Sequence, residues 1–142
     1  MVTERCSPDY SMALDLISSA YTHIDDSKAI LAIRTRPAIS SAYNAMLQAS
    51  NALMKLDGKI TVTKEHHKEM VDFIRNNYNT KIASDLIDTF DNGRRLRNYL
   101  QYKNAKPISF RDAHRFLIDA ERFVTSIKKI IRTKNKIIQT HI

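Results

Sequence analysis

Apolar residues recur along most of this chain at intervals of three and four, the spacing that places them on one face of an α-helix. The pattern predicts a first helix between about Tyr10 and Ile33. Pro37 favours a break in the helix before it and the start of a second helix. This second helix is predicted to run to about Leu56, because Gly58 favours the end of a helix. The expected apolar face of the first helix comprises Met12, Leu14, Leu16, Ile17, Ala20, Tyr21 and Ile24.

Three further helices are expected after Gly58. Thr61 or Thr63 can cap a short third helix that ends near residue 77. Thr80 can start a fourth, which tolerates Gly93 in its interior and ends near Tyr102. A long last helix follows a loop at residues 103–107, since residues 109–112 have the S-x-x-D form of an N-terminal cap.

The scarcity of chain-breaking residues supports an all-helical fold. The 142 residues include two glycines and three prolines, and no alternation typical of strands connects the helical segments. We predict an all-α, up-and-down bundle of four or five helices over residues 10–142, preceded by a flexible segment at residues 1–9. The length is that of one domain, with enough chain to bury a core without disulfides or metals.

Composition narrows the cellular setting and the partners. No apolar run approaches the ~20 residues of a membrane span, and the first residues lack the order of a secretory signal, so we expect a cytoplasmic protein. The lone Cys6 has no cysteine partner, and no cofactor is expected. A formal net charge of +8 favours RNA, DNA or an acidic protein as partner, although such charge also serves solubility alone.

The densest polar cluster lies at residues 93–103, where arginines alternate with aromatic residues near a helix end. Arginine can pair with phosphate oxygens and tyrosine can stack on an unpaired base, whereas the alternative is a solvated face with one tyrosine at the rim of the core. The candidate nucleic-acid-binding residues here are Arg94, Arg95, Tyr99 and Lys103. Arg95, Tyr99 and Tyr102 share one helical face, and Arg97 points about 140° away from Tyr102 on a straight helix.

A second basic region occupies the end of the last predicted helix. From Arg122 onward the chain has no acidic residue, and we expect this segment to contact a polyanion or to form a solvated helix end. Its candidate nucleic-acid-binding residues are Lys128, Lys129 and Arg132.

Several ordered segments together resemble the HEPN (higher eukaryotes and prokaryotes nucleotide-binding) family, from about Met12 to Ile131. Residues 41–54, SAYNAMLQASNALM, are similar to the second-helix pattern A-Y-x-A-M with small residues and leucines after it. Gly58 and residues 63–67 resemble the glycine-ended helix and threonine-histidine start that follow. Residues 96–102, LRNYLQY, match an arginine with a tyrosine five positions on, and residues 108–113 and 120–123 resemble the last helix.

The resemblance implies a helical bundle, commonly dimeric, that acts on RNA without metal or serves as the toxin-side partner of a small nucleotidyltransferase. Arg97 matches the arginine of the family's Arg-x-x-x-x-His motif and Asn98 the polar residue beside it, but Tyr102 stands where the nuclease form has histidine. Because tyrosine has a pKa near 10, it is a poor general base at neutral pH, so the resemblance implies RNA or nucleotide binding more securely than cleavage.

The histidines leave one further possibility for proton transfer. His66 and His67 are adjacent and point about 100° apart on a helix, so no metal site is expected. His67 or His114 could approach Arg97 in the fold and replace the missing motif histidine. The competing hypothesis is a helical interaction protein without a catalytic site, which holds a nucleotidyltransferase or another acidic partner on its basic surface.

Overall fold

A computed structural model describes residues 3–5, 7–61 and 66–140 of the chain. Within these residues the chain forms five helices and two short strands. They are β1 (Thr3–Arg5), α1 (Tyr10–Leu31), α2 (Thr35–Leu56), β2 (Lys59–Thr61), α3 (His66–Tyr78), α4 (Ser84–Leu100) and α5 (Phe110–Thr140). The predicted all-α bundle is confirmed.

The hairpin of α1 and α2 forms the centre of the bundle, and α5 packs against both of its helices. The buried face of α2 is rich in alanine, which lets neighbouring backbones approach closely: Ala38, Ala42, Ala45, Ala49 and Ala52 are all buried. Ser27 is buried within this hairpin because its hydroxyl donates to the Ala38 carbonyl at 2.7 Å. The largest rings of the core are those of Tyr43, Phe73, Phe90 and Phe123.

The helix directions depart from a strict up-and-down order at α3. Near the start of α3, His67 contacts Tyr43 in the middle of α2, and at its end Tyr78 contacts Asp57 beyond the end of α2. Since both pairs follow the same order along their chains, α3 runs parallel to α2. The connection that contains β2 returns the chain along the bundle between these two helices.

The first helix buries part of the stripe expected, including Ile17, Ala20 and Ile24. Its buried residues are Ala13, Ile17, Ala20, Ile24, Ser27 and Leu31, each three or four positions from the next. Met12 and Leu14, predicted to lie inward, are exposed because they fall on either side of this stripe. The helix ends at Leu31, and Ile33 lies in the exposed turn before α2.

Other helix boundaries also move by a few residues. The second helix begins at Thr35, which places Pro37 within its first turn. The fourth helix begins at Ser84, not at Thr80, and its last residue is Leu100, so that Tyr102 lies outside it. The backbone N–H groups of Gln101 and Tyr102 instead donate to carbonyls three residues back, a tighter turn that ends the helix.

The predicted caps have mixed outcomes. The one at the start of α5 is confirmed, since the Ser109 hydroxyl accepts a hydrogen bond from the Asp112 backbone N–H at 3.1 Å. Thr61 lies in β2 and its hydroxyl contacts His66, so it does not cap α3 from the position expected. Thr63 lies outside the described residues.

The N-terminal segment, expected to be flexible, contributes a strand. Residues 3–5 pair antiparallel with β2, with Thr3 opposite Thr61 and Arg5 opposite Lys59. Sequence periodicity missed both strands because each has only three residues. Cys6 lies outside the described residues. Among the residues described, no helix combines the length and apolar character needed to cross a bilayer.

Gly93 allows α4 to pack closely against α2 and α5. A Cβ atom at this position would lie 2.9 Å from Cδ1 of Tyr43 and 3.2 Å from Cζ of Phe116. Real Cβ atoms do not approach carbon as closely as 2.9 Å, and the Tyr43 ring is fully buried and has little room to move. Sequence analysis predicts only that the helix tolerates Gly93. In the structure, the absence of a side chain at Gly93 lets α4 pack against the Tyr43 ring.

We expect Gly93→Ala to destabilise the protein by about 1 kcal/mol, because overpacking costs about 1–3 kcal/mol and exceeds the gain in helix propensity. Thermal unfolding followed by circular dichroism measures this change. Asn92→Ala is the control, because it places alanine at the exposed neighbouring position without adding a carbon to the helix interface, and it should leave stability unchanged or raise it. A Gly93→Ala protein as stable as the parent would contradict the packing described here.

Candidate functional site

Arg97 is held at the face of a buried aromatic ring. Its guanidinium carbon lies 4.6 Å from the centroid of the Tyr43 ring, and its Nη1 donates to Oδ1 of Asn44 at 3.4 Å. Its Nε is buried and has no hydrogen-bond partner among the described residues. The side chain is thus positioned by stacking, while most of its five N–H donors are left for another ligand.

The Tyr43 ring connects Arg97 to a histidine. The Tyr43 hydroxyl lies 2.5 Å from Nδ1 of His67, and Nε2 of His67 lies 3.2 Å from the backbone carbonyl of Asp91. A carbonyl oxygen can only accept, so Nε2 carries the proton and Nδ1 accepts the Tyr43 hydroxyl proton. The Phe90 ring stacks at 6.0 Å from Tyr43 and holds the pair from the side of the core.

Burial determines the protonation of this pair. It lowers the pKa of His67, and the repulsion of Arg94 adds to this effect, while Asp91 opposes it through its backbone carbonyl and its carboxylate. Burial also raises the pKa of Tyr43 to about 12, against the opposing attraction of the Arg97 and Arg94 charges. At neutral pH the imidazole is therefore neutral and the phenol protonated, the two states that their hydrogen bond requires.

A cleft of about 260 Å³ opens beside His67 between α3 and α4. It is lined by His67, Lys68, Val71, Asp72, Arg75, Asp91, Arg94 and Arg95. Arg75 is neutralised by Asp88 at 2.9 Å and by Asp91 at 3.5 Å.

The other cations of this cleft are free to meet an anion. In the part of the chain that the structure describes, Lys68, Arg94 and Arg95 form no ion pair. Arg94 and Arg95, predicted from the sequence as nucleic-acid-binding residues, therefore line one electropositive cleft beside the Tyr43–His67 pair.

The remaining predicted residues of the 97–103 segment lie away from this cleft. Tyr102 is 69% exposed, beyond the end of α4, and Asn98 and Lys103 are exposed as well. Tyr99 is 43% exposed, and its hydroxyl accepts the backbone N–H of Lys106 at 2.9 Å. The expected helical face shared with Tyr102 is wrong, because α4 ends at Leu100.

The position of Arg97 also differs from the expectation. The sequence places Arg97 near a helix end, where an arginine aimed at phosphate is expected to contribute hydrogen bonds to a ligand rather than core packing. It is instead half-buried against Tyr43, since its long side chain lies back along α4 toward α2. Replacing Arg97 will therefore disturb packing as well as remove a charge.

The basic residues near the C-terminus differ in their contacts. Lys134 Nζ donates to Oδ1 of Asp57 at 2.6 Å and contacts the Tyr78 hydroxyl, so it serves the fold. Lys128 lies over the Tyr21 ring at 5.0 Å. Lys129 and Arg132 are exposed and remain candidates for contact with a polyanion. The segment is less available to a polyanion than its composition suggested.

Two histidines were candidates to replace the motif histidine. Of these, only His67 lies near Arg97, since both side chains contact Tyr43. His114 stacks on Phe110 near the start of α5, with ring centroids 5.7 Å apart and planes within 8°. Among the described residues, no group of three histidine, cysteine, aspartate or glutamate side chains could hold a metal ion.

Sequence reasoning missed the residues that position Arg97. Tyr43 and Asn44 belong in the sequence only to the pattern at residues 41–54, and Asp91 belongs to no motif. Their contacts join positions that are 24 or 53 residues apart in the chain, so local periodicity cannot identify them. The A-Y-x-A-M resemblance was the one signal that could have singled out Tyr43.

Comparison with solved structures supports the fold alone. The crystal structure of TT1696 from Thermus thermophilus is similar with a TM-score of 0.65 at 17% sequence identity, covering 82% of this chain and 96% of that one. No protein-family model and no curated protein matches the sequence.

The lowered pKa of His67 predicts a pH-dependent stability. Because protonation of His67 opposes folding, the free energy of unfolding should be greatest above the ordinary histidine pKa of about 6.5. It should fall as the pH decreases below that value toward the folded-state pKa. Thermal unfolding at about pH 7.5 and about pH 5 should show this fall, and His67→Gln should reduce it.

His114→Gln, the same change at an exposed histidine, is the matched control and should keep the parental pH dependence. If His67→Gln retained the whole acid-dependent loss of stability, the buried neutral imidazole would not be its source.

Proposed function

We propose that this protein is a HEPN-like, RNA-associated module in which Arg97 binds a phosphate of the RNA backbone. The observation that carries the proposal is the guanidinium itself, fixed over Tyr43 with a buried Nε that lacks a partner among the described residues. An unpaired buried donor costs about 1–3 kcal/mol, so this placement of the guanidinium is not explained by stability alone. Nη2 is not among the buried unpaired atoms and no hydrogen bond of the described residues occupies it, so it is the donor that a phosphate can reach. A phosphate accepts two parallel N–H bonds from one guanidinium.

The neighbouring cleft supports a polyanion over a single small anion. Lys68, Arg94 and Arg95 line it without ion pairs in the described chain, close to the His67 imidazole. Several phosphates bound at successive cations release counterions, which is the main driving force for binding a nucleic acid. The exposed Tyr99 and Tyr102 add rings that can stack on bases.

The site favours binding over cleavage. A ribonuclease needs a base that takes the proton of a ribose hydroxyl, and Tyr102 is a poor base that lies exposed beyond α4. The neutral imidazole of His67 could instead act as that base, which makes metal-independent cleavage the second candidate function. However, Tyr43 occupies its Nδ1 and Asp91 its Nε2–H, so it would have to release Tyr43 before it accepts a proton.

The competing hypothesis is a non-catalytic interaction module with a nucleotidyltransferase-type or other acidic partner, as in a toxin–antitoxin pair. It would use the same positive surface without contact between Arg97 and phosphate. The homodimer and the cytoplasmic location expected from the sequence stay predictions.

We expect Arg97→Lys to weaken RNA binding about tenfold or more, because lysine keeps the charge but loses the planar fork and the stacking on Tyr43. Fluorescence anisotropy with a labelled single-stranded RNA measures the affinity, with chelator present. The RNA should remain intact, and the affinity of the parent protein should fall steeply as salt increases.

The matched control is Arg122→Lys, which makes the same change at an exposed arginine of α5 paired with Asp119 at 3.5 Å. It should bind RNA like the parent. Equal RNA affinity for both variants, or no binding by the parent, would support the interaction-module hypothesis instead. Cleavage that is lost in His67→Gln would establish the second candidate.

A further inference from the structure

Four helix termini meet at one end of the bundle. Leu31 and Ala32, at the end of α1, line a groove together with Phe110 at the start of α5. The start of α2 is tied to the end of α4, since Arg36 donates to the Leu100 carbonyl at 3.1 Å and to the Ala105 carbonyl at 2.8 Å. We call this surface, formed by residues 31–37 and 98–111, the aromatic end.

The aromatic end exposes three rings. Tyr102 is 69%, Phe110 55% and Tyr99 43% exposed, and Ile33, in the turn between α1 and α2, is an exposed aliphatic side chain at the same end of the bundle. These side chains lie on two connections of the bundle, α1–α2 and α4–α5, and on the helix ends that flank them, so they form a surface and not a single helical stripe. Large exposed apolar groups gathered in one place are typical of a binding surface.

The same surface carries only positive formal charge. Residues 31–37 and 98–111 contain no aspartate or glutamate. Arg34, Lys103, Lys106 and Arg111 are exposed there, and none of the four forms an ion pair within the described ranges of the chain. Their charges are therefore available to an anion that reaches the rings.

Hydrogen bonds fix the backbone that carries Tyr99 and Tyr102 before any ligand binds. Arg36 ties down the backbone on both sides of Tyr102, at Leu100 and Ala105. The Tyr99 hydroxyl accepts the Lys106 backbone N–H, which attaches the next part of the loop to α4. A loop fixed in this way loses little conformational freedom when its exposed rings bind a ligand.

We propose that the aromatic end binds single-stranded RNA, with unpaired bases stacked on Tyr102 and Phe110 and the backbone phosphates on the surrounding cations. Exposed rings among unpaired cations are the combination that binds single strands, because every unpaired base offers a flat face to stack on. In a duplex the bases already stack on one another and their faces are closed to the rings. This inference rests on the proposed function and specifies the form of RNA that it handles.

The charge also argues against the main alternative, a second copy of this chain seated on the same surface. Two such surfaces brought face to face would oppose four unpaired cations with four others, with no acidic side chain from residues 31–37 or 98–111 between them. Like charges placed together disfavour association.

The test uses a short oligoadenylate that contains a fluorescent adenine analogue, alone and annealed to oligouridylate. We expect the full chain to bind the single strand more tightly than the duplex and to change the analogue's fluorescence through stacking. Tyr102→Ala and Phe110→Ala should each weaken single-strand binding about fivefold or more, the loss typical of one stacked base. Tyr102→Phe, which keeps the ring, should bind like the parent.

Leu14→Ala is the matched control for loss of an exposed apolar side chain elsewhere, and it should bind like the parent. Circular dichroism verifies that each variant is folded, and Tyr102, outside any helix, can be replaced with little effect on the core. Parental affinity in both alanine variants, or equal binding of duplex and single strand, would overturn the stacking surface while the role of Arg97 stands. Absence of RNA binding by the parent would overturn both.

Light scattering distinguishes RNA binding at the aromatic end from dimerisation through the same surface. If the alanine variants convert a dimer into a monomer and leave RNA affinity unchanged, the aromatic end is an interface between copies, and the inference is wrong.

Discussion

The packing of α4 over the Tyr43 ring determines most of what is distinctive about this bundle. Because Gly93 has no side chain, α4 lies close enough for Arg97, one turn later, to stack on the ring. The hydroxyl of the same ring orients His67 from α3. One buried phenol thus relates three helices, and the position of the candidate phosphate ligand depends on it.

The two ends of the bundle differ in their chemistry, and this difference organises the charge of the protein. At one end Lys134 is neutralised by Asp57, and burial beside that carboxylate raises the pKa of Tyr78, so the cluster holds α5 against α2 and α3. At the other end the cations have no acidic neighbours within residues 31–37 and 98–111. The net charge of +8 is therefore unevenly distributed, with part of it serving the fold and part free to attract a polyanion.

The sequence alone could predict the five helices, since each buries an apolar face with a period of three to four residues. It also located Arg97 and the Ser109 cap, because both belong to local patterns. It could not predict that Tyr43 holds Arg97, because that contact depends on how closely α2 and α4 approach. The pairing of Lys134 with Asp57 was missed for the same reason, since the two residues lie 77 positions apart.

The proposed binding of phosphate to the Arg97 guanidinium, which Tyr43 positions, can be tested directly. Heteronuclear NMR of the arginine Nε–H groups, with Arg97→Lys to assign the resonance, reports on the surroundings of this guanidinium. On addition of a short single-stranded RNA, the Arg97 resonance should shift strongly, and that of Arg122 should stay nearly constant. An Arg97 resonance that does not move, while the RNA is bound and other arginines shift, would contradict the account.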